Sequence, residues 1–199
     1  MITKNALNAA LSVYDIESEC IDRMRDFIDT ENLSKAVEIL IAAERIGAIG
    51  CGHSGIACQH FAHLMCCIEK SAKFISPSEA IHGGMGFLKE GDAMLFVSRG
   101  GATKELFSVY DICKEKGIKI ITITENLQSP LALSADVVLK LFVNRETDKY
   151  NMQGTTSTVA SCVLFHVLQT AMIEQMNYQS ETFALIHPGG AVGERLNNK

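Results

Sequence analysis

The stretch Met94-Leu95-Phe96-Val97-Ser98-Arg99-Gly100-Gly101-Ala102-Thr103-Lys104-Glu105 joins three kinds of sequence in one short span. It opens as an unbroken apolar run, the mark of a strand buried on both faces. Two glycines flanked by hydroxyl side chains then turn the chain, and residues 105–112 take up a helical pattern. A buried strand, a Gly/Ser/Thr loop and a helix N-terminus together present unpaired backbone N–H groups and a positive dipole end. That combination suits a phosphate or another small anion.

Outward from this stretch the same alternation recurs. Residues 46–50 predict a strand, followed by Gly50-Cys51-Gly52-His53-Ser54-Gly55 and a helix to about residue 68. Residues 73–76 and 93–98 predict two further strands, and residues 102–116 a helix ended by Gly117 as its C′ residue. Two more strands follow at 118–124 and 136–143. This alternation predicts an α/β fold: a five-stranded parallel sheet with helices on both faces, in the flavodoxin-like order 2-1-3-4-5. Ligands then belong outside the C-terminal strand ends. In front of the sheet, residues 4–29 place Leu7, Leu11, Tyr14, Ile21, Met24 and Ile28 at helical spacing, and residues 33–44 form a second amphipathic helix. Residues 155–177 are apolar around most of a helical circumference, which points to a central position or a subunit interface. One domain of 199 residues is expected, with N-terminal helices over 1–44, the sheet core over 45–143 and a C-terminal helical part over 144–199.

Composition narrows the function classes. Apolar residues make up 47% and charged residues 21%, ordinary for a soluble globular chain with a sizeable core. A net charge of −5 argues against nucleic acid, which needs a broad basic surface, but not against a small phosphate held by local donors. The N-terminus shows no signal-peptide apolar region, and the apolar stretch 159–176 is interrupted by Ser161, His166, Gln169 and Glu174, so no membrane association is expected. Seven cysteines without a CxxC pair read as reduced thiols in a cytoplasmic protein. His60, His63 and Cys67 share a helix face at a spacing that can bind a metal. Set among Phe61, Leu64, Met65 and Ile68 they read as an ordinary packed helix, and no metal site is expected.

The first loop formally matches G-x-G-x-x-G after a strand. A dinucleotide site also wants an acidic residue at the end of the second strand to grip the ribose. That strand ends Phe74-Ile75-Ser76-Pro77, with no carboxylate before Glu79. A tight turn aiming Ser54 at a phosphate is the preferred reading; a turn whose glycines serve packing alone is the alternative. The second loop, residues 98–103, is of the same kind and lies at the end of a neighbouring strand. Two such loops converging on one crevice are more specific than either alone. Arg99 can add a charge-assisted contact to it; the alternative is a solvated arginine, the commoner state on an exposed loop.

The paired loops, with Ser98-Arg99-Gly100-Gly101-Ala102-Thr103 followed by Glu105, resemble the sugar isomerase (SIS) domain. Near the C-terminus, Phe183-Ala184-Leu185-Ile186-His187-Pro188-Gly189-Gly190-Ala191-Val192-Gly193-Glu194-Arg195-Leu196 is similar to the signature of arabinose-5-phosphate isomerases, and Thr155-Thr156-Ser157-Thr158 and Ala80-Ile81-His82-Gly83 match the same subgroup. The resemblance covers nearly the whole chain, without the CBS modules those isomerases commonly carry. It implies a cofactor-free aldose–ketose isomerisation of a pentose phosphate through a cis-enediol, by a dimer or tetramer with sites across subunit interfaces. It implies Glu146 as the base, His187 for ring opening or proton transfer, and His82 in support. For the phosphate it implies Gly52, Ser54, Ser98, Gly101 and Thr103, with Thr156 and Ser157 as additions. The chain departs from the pattern where an active-site lysine has become His53, a serine Gly100 and a glutamate Ala102. Histidine keeps a hydrogen-bonding role at position 53; the carboxylate at 102 is gone. Two other readings follow: a sugar-phosphate-binding or sensing module with reduced catalysis, and a 6-phospho-3-hexuloisomerase. Without the resemblance, Glu146 would be one charge in a solvated loop, His82 the decoration of a turn, and His187 the cap of a local bend.

Overall fold

The computed structural model describes residues 1–197. Five strands, β1 (Arg45–Gly50), β2 (Ser71–Phe74), β3 (Ala93–Val97), β4 (Lys119–Thr124) and β5 (Val137–Lys140), form one parallel sheet in the order β2-β1-β3-β4-β5. The expected fold class and strand order are those found. Nine α-helices accompany the sheet among the described residues: α1 (Lys4–Met24), α2 (Thr30–Ala42), α3 (His53–Cys66), α4 (Pro77–Ala80), α5 (Phe107–Glu115), α6 (Pro130–Leu133), α7 (Thr156–Gln175), α8 (Ser180–Ile186) and α9 (Gly190–Asn197).

β3 shows why the fold forms. Ala93, Leu95 and Val97 enter a core with Cys20, Leu40, Phe61, Phe165 and Leu168, while Met94 and Phe96 enter a second core with Leu88, Leu106, Val109 and Cys113. A strand feeding two cores has no polar face, and its sequence has no alternation. Helices α1, α2, α3 and α7 cover the first face, and α5 lies on the second. Among the described residues α7 is the one helix long and apolar enough to cross a membrane by length and composition alone. Here its Leu164, Phe165, Leu168 and Met172 are buried in the first core. Phe165 tilts on Phe61 with ring centroids 5.1 Å apart, and the Gln169 amide donates to Leu64 O at 2.8 Å, so α3 and α7 form one packed unit.

Element ends differ from the sequence reading where local chemistry intervenes. Helix α2 begins at Thr30 rather than 33, because Asp29 caps it by accepting from the amides of Glu31 and Asn32. The helix expected from 102 begins at Phe107, preceded by a 3₁₀ turn over Lys104–Leu106. β5 ends at Lys140, since its only neighbour β4 stops at Thr124. Gly117 follows α5 in the left-handed region (φ 67°), as expected of a C′ glycine. The N-terminal two-thirds of α1 buries nothing: Cys20 and Met24 are its only buried residues, while Leu7, Leu11 and Tyr14 are exposed.

Candidate active site

Gly50 of β1 pairs with Val97 of β3, so the loops leaving these strands start side by side. The chain passes from β1 to β2 on one side and reaches β3 on the other, which makes this the switch point of the sheet, where ligands of such folds bind. Glycines set the first loop. A Cβ on Gly50 would lie 2.9 Å from the Ser54 carbonyl carbon, and one on Gly55 2.7 Å from Gly50 O. The first turn of α3 therefore sits directly on the strand end. Gly52 caps α3 with φ 54° and no side chain caps the helix, so the amides at its start remain open toward the crevice.

The second loop is braced internally. Ser98 is 5% exposed; its Oγ lies 2.8 Å from Thr103 Oγ1 and accepts from the Gly101 amide at 3.1 Å. Gly101 has φ 66°, and a Cβ there would collide with the Ser129 side chain and stand 2.9 Å from Thr124 Oγ1. Between the loops lies an open cavity of about 580 Å³, lined by Gly52, Gln59, Ser76, Ser78, Lys104 and Glu105 among others. Ser98 and Thr103, expected to hold a phosphate, are not among its lining residues; their hydroxyls bond to each other. Ser54 is half-buried and packs its Cβ over Gly50.

Arg99 and Glu146 also take places different from those expected. Arg99 Nε donates to Glu125 at 2.8 Å and Nη1 to Glu146 Oε1 at 2.6 Å, so the guanidinium is held by two carboxylates. Glu146 is 2% exposed, and its Oε2 accepts from the amides of Thr155 (2.9 Å) and Ser157 (3.1 Å) and from the Thr155 hydroxyl (3.2 Å). Burial pushes this carboxyl up, yet hydrogen bonds from Ser157, the Arg99 charge and the Thr155 hydroxyl outweigh burial and hold it below its ordinary value. Such a carboxylate is a weak proton acceptor. It serves as a built-in anion at the α7 N-terminus, the position offered to a phosphate through Thr156 and Ser157. Thr156 is itself buried, its hydroxyl without a partner among the described residues.

The histidines divide between two places. His53 opens α3 beside the cavity, with Gly154 packed so close that a Cβ there would lie 3.0 Å from the His53 Cβ. The loop carrying Glu146 thus reaches the first loop through Gly154. His82 is exposed and follows Ile81, which lines the cavity, so it stands at the rim. His187 lies elsewhere. It ends α8, faces Phe183 with centroids 5.1 Å apart, and lines a separate hollow with His63, Cys66, Cys67 and Glu69 at the far end of α3. Helix α3 has 14 residues, so at 1.5 Å per residue this hollow is roughly 20 Å from the α3 N-terminus. Within one subunit His187 is not brought to the cradle.

His60, grouped with His63 and Cys67 by spacing, instead faces His166 of α7 at 3.1 Å between Nε2 atoms. No group of three metal-binding side chains occurs among the described residues. The sequence reading gave no role to Lys104 and Glu105, which the structure puts in the cavity wall. Their signal was positional: they form the first turn after the second glycine loop, where side chains face the strand ends.

A family model for the SIS domain matches residues 39–171. Arabinose 5-phosphate isomerase KdsD of Pseudomonas aeruginosa is 34% identical over 191 residues, covering 96% of this chain and 58% of that protein. A candidate sugar-phosphate isomerase of Listeria monocytogenes superposes with a TM-score of 0.89 at 36% identity, over 95% of this chain and 100% of that one. An Escherichia coli CFT073 protein solved in complex with arabinose 5-phosphate superposes at 0.84 over 94% of this chain and 100% of that one; at 22% identity the likeness is one of fold. The chain spans about three-fifths of the length of the curated relatives it matches.

Proposed function

Because the chain belongs to the SIS domain family, we propose that it is a phosphosugar isomerase interconverting an aldose and a ketose pentose phosphate, of the arabinose 5-phosphate/ribulose 5-phosphate type, through a cis-enediol. The observation that carries this reading is the open cavity at the switch point, bounded by the uncapped start of α3 and by the loop bearing Lys104 and Glu105. Its volume of about 580 Å³ falls within the roughly 300–1,000 Å³ of small-molecule sites. The phosphate sits on the amides of Gly52, His53 and Ser54, whose donors lack helical acceptors. The α7 N-terminus is closed to it by Glu146. Ring opening and the two proton transfers need only acids and bases, so no cofactor is required.

His53 and His82 serve the cavity from its own subunit. His187 serves the cavity of a second copy. The protein acts as a dimer or tetramer in the cytoplasm, and the exposed Leu7, Leu11 and Tyr14 of α1 are part of the surface that pairs. Nucleic acid and membrane are not partners. Ala102 favours a second reading, a sensing module that binds sugar phosphates without turning them over.

Transfer of solvent deuterium into a panel of pentose and hexose phosphates, followed by NMR, tests the proposal. Exchange at the carbon next to the carbonyl of a pentose phosphate is the expected result. Exchange confined to hexulose 6-phosphate would redirect the reading to a hexuloisomerase. Binding without exchange would leave the sensor.

A further inference from the structure

Enolisation needs a proton acceptor that the sugar can touch, and the carboxylate implied by resemblance is not free to act. Glu146 is buried, its two oxygens receiving four donors from Arg99, Thr155 and Ser157. Glu125 is paired with Arg99 at 2.8 Å. Position 102 is alanine. Glu105 differs from all of these. It is exposed, lines the cavity, and forms no ion pair among the described residues. Lys104 next to it lines the same cavity and is likewise without an ion-pair partner among them.

Resting on the isomerase reading above, we infer that Glu105 is the catalytic base of this chain and that Lys104 supplies the positive charge facing the developing enediolate.

The cavity's other walls support the assignment. They are contributed by Gly52, Ile56 and Gln59 on the α3 side and by Ser76, Ser78 and Ile81 beyond β2. Apart from Glu105, the titratable side chains among its lining residues are Lys104 and Cys51. Burial, and then the charge of Glu105, push the Cys51 thiol up, which disfavours a thiolate as base and sets Glu105 within electrostatic reach across the crevice. Glu105 also belongs to a short 3₁₀ turn anchored by the buried Leu106, so its backbone is fixed by the core while its side chain stays open.

The chemistry balances with one carboxylate. With the phosphate at the start of α3, the open-chain aldose lies along the cavity toward Lys104 and Glu105. The C2–H bond breaks, and its proton forms the O–H of Glu105; the electron pair moves into a C1–C2 double bond. The carbonyl oxygen at C1 takes a proton from an imidazole at the rim, giving the cis-enediol. Glu105 then returns its proton to C1, and the hydroxyl on C2 gives its proton back to the imidazole as the ketone forms. The Lys104 ammonium stabilises the oxyanion in between without transferring a proton. A single base serving both carbons requires the enediol to be cis.

Glu105→Gln tests the inference on the whole protein, with the pentose phosphate on which the wild-type chain exchanges deuterium. The expected result is a loss of roughly 10²–10⁴-fold in kcat, the usual worth of a general base, with KM changed little. Glu105→Asp should recover part of the rate, and Lys104→Met should lower kcat with the exchange position unchanged. A Glu105→Gln protein that keeps exchange and turnover near the wild-type level overturns the assignment and leaves the isomerase reading intact. A wild-type protein that binds sugar phosphates but exchanges none of them overturns the isomerase reading, and this assignment with it. Because Glu105 is exposed, circular dichroism of the variant should match the wild type, which separates lost chemistry from lost fold.

Discussion

Arg99 and Glu146 stand 47 residues apart in the chain, and Nη1 of the one donates to Oε1 of the other across 2.6 Å. The contact joins the loop after β3 to the crossing that follows β5, with the second hydrogen-bonding edge of Arg99 on Glu125. Glu146 in turn fastens the start of α7. Three segments at the C-terminal edge of the sheet are thus tied through one guanidinium.

Arg99→Met should therefore act on stability first. It strands a carboxylate that is 2% exposed. The expected loss is about 2–3 kcal/mol, less than the roughly 3–5 of a fully buried pair, because a third of the Arg99 side chain is exposed and water screens its charge. The effect depends on pH in a defined direction. Glu146 has its folded pKa below its unfolded value of about 4.5, so its contribution is present above that value and fades as pH falls through the folded pKa. Urea titrations from about pH 7 down to about pH 3 should show the wild type losing stability below about 4.5, and the gap to Arg99→Met narrowing over the same range, because a less depressed Glu146 leaves the variant less to lose. Coincident curves would mean the pair contributes nothing.

The two loop glycines make opposite predictions. Gly101 needs φ 66° and leaves no room for a Cβ beside Ser129 and Thr124, whereas Gly100 has no positive φ and nothing within 4 Å of its missing Cβ. Gly101→Ala should cost about 1–2 kcal/mol for the left-handed conformation and about 1–3 more for crowding. Gly100→Ala should stay within about 0.5 kcal/mol of wild type. Adding Ser129→Gly to Gly101→Ala should recover the part of the crowding due to Ser129 and leave the approach to Thr124 Oγ1, and thermal melts of the four proteins decide it.

The fold was legible because its signals are local and repeated. The unbroken run Met94-Leu95-Phe96-Val97 announces a strand fed into two cores, and Gly117 announces a helix end. The switch-point location followed from strand order alone. The duties of individual side chains were not legible. Ser98 and Thr103 look like phosphate ligands in sequence, and only their 2.8 Å contact shows that they satisfy each other. Glu146 carries no mark of its long-range partner Arg99, since spacing along the chain says nothing about a bond across 47 residues. The short helices α8 and α9 also went unread. Gly193 explains the second: a Cβ there would lie 2.5–2.6 Å from Pro188 and His187 backbone atoms, so α9 folds back on the turn before it, a contact with no periodic trace.

Helix α1 gives a prediction about assembly. Leu7, Leu11 and Tyr14 are 46%, 55% and 75% exposed, and substituting them removes no contact from the subunit core. Replacing all three by glutamate should shift sedimentation toward the monomer while the far-ultraviolet circular dichroism is retained. Leu40→Ala, at a site of 0% exposure, should instead lower stability by about 2–5 kcal/mol without addressing assembly. An unchanged oligomer in the triple variant would remove α1 from the pairing surface.

The distance between His187 and the cradle supports the sharpest test of a shared site. His187 lines a hollow at the far end of α3, roughly 20 Å from that helix's first turn, so one subunit cannot bring it to its own cavity. If a second copy brings it, variants with complementary defects should rescue each other. His187→Ala and Glu105→Gln proteins, each of low activity alone, are unfolded together, mixed in equal amounts and refolded. Half of the dimers then carry one defect in each subunit, and one of their two cavities combines an intact Glu105 with an intact His187 from across the interface. About a quarter of wild-type activity should return, by random pairing in a symmetric dimer. Activity no higher than the sum of the two parents would place both residues in the same cavity or leave His187 outside the chemistry. Repeating the mixture with Glu146→Gln in place of Glu105→Gln should show altered stability instead, because that buried carboxylate secures α7.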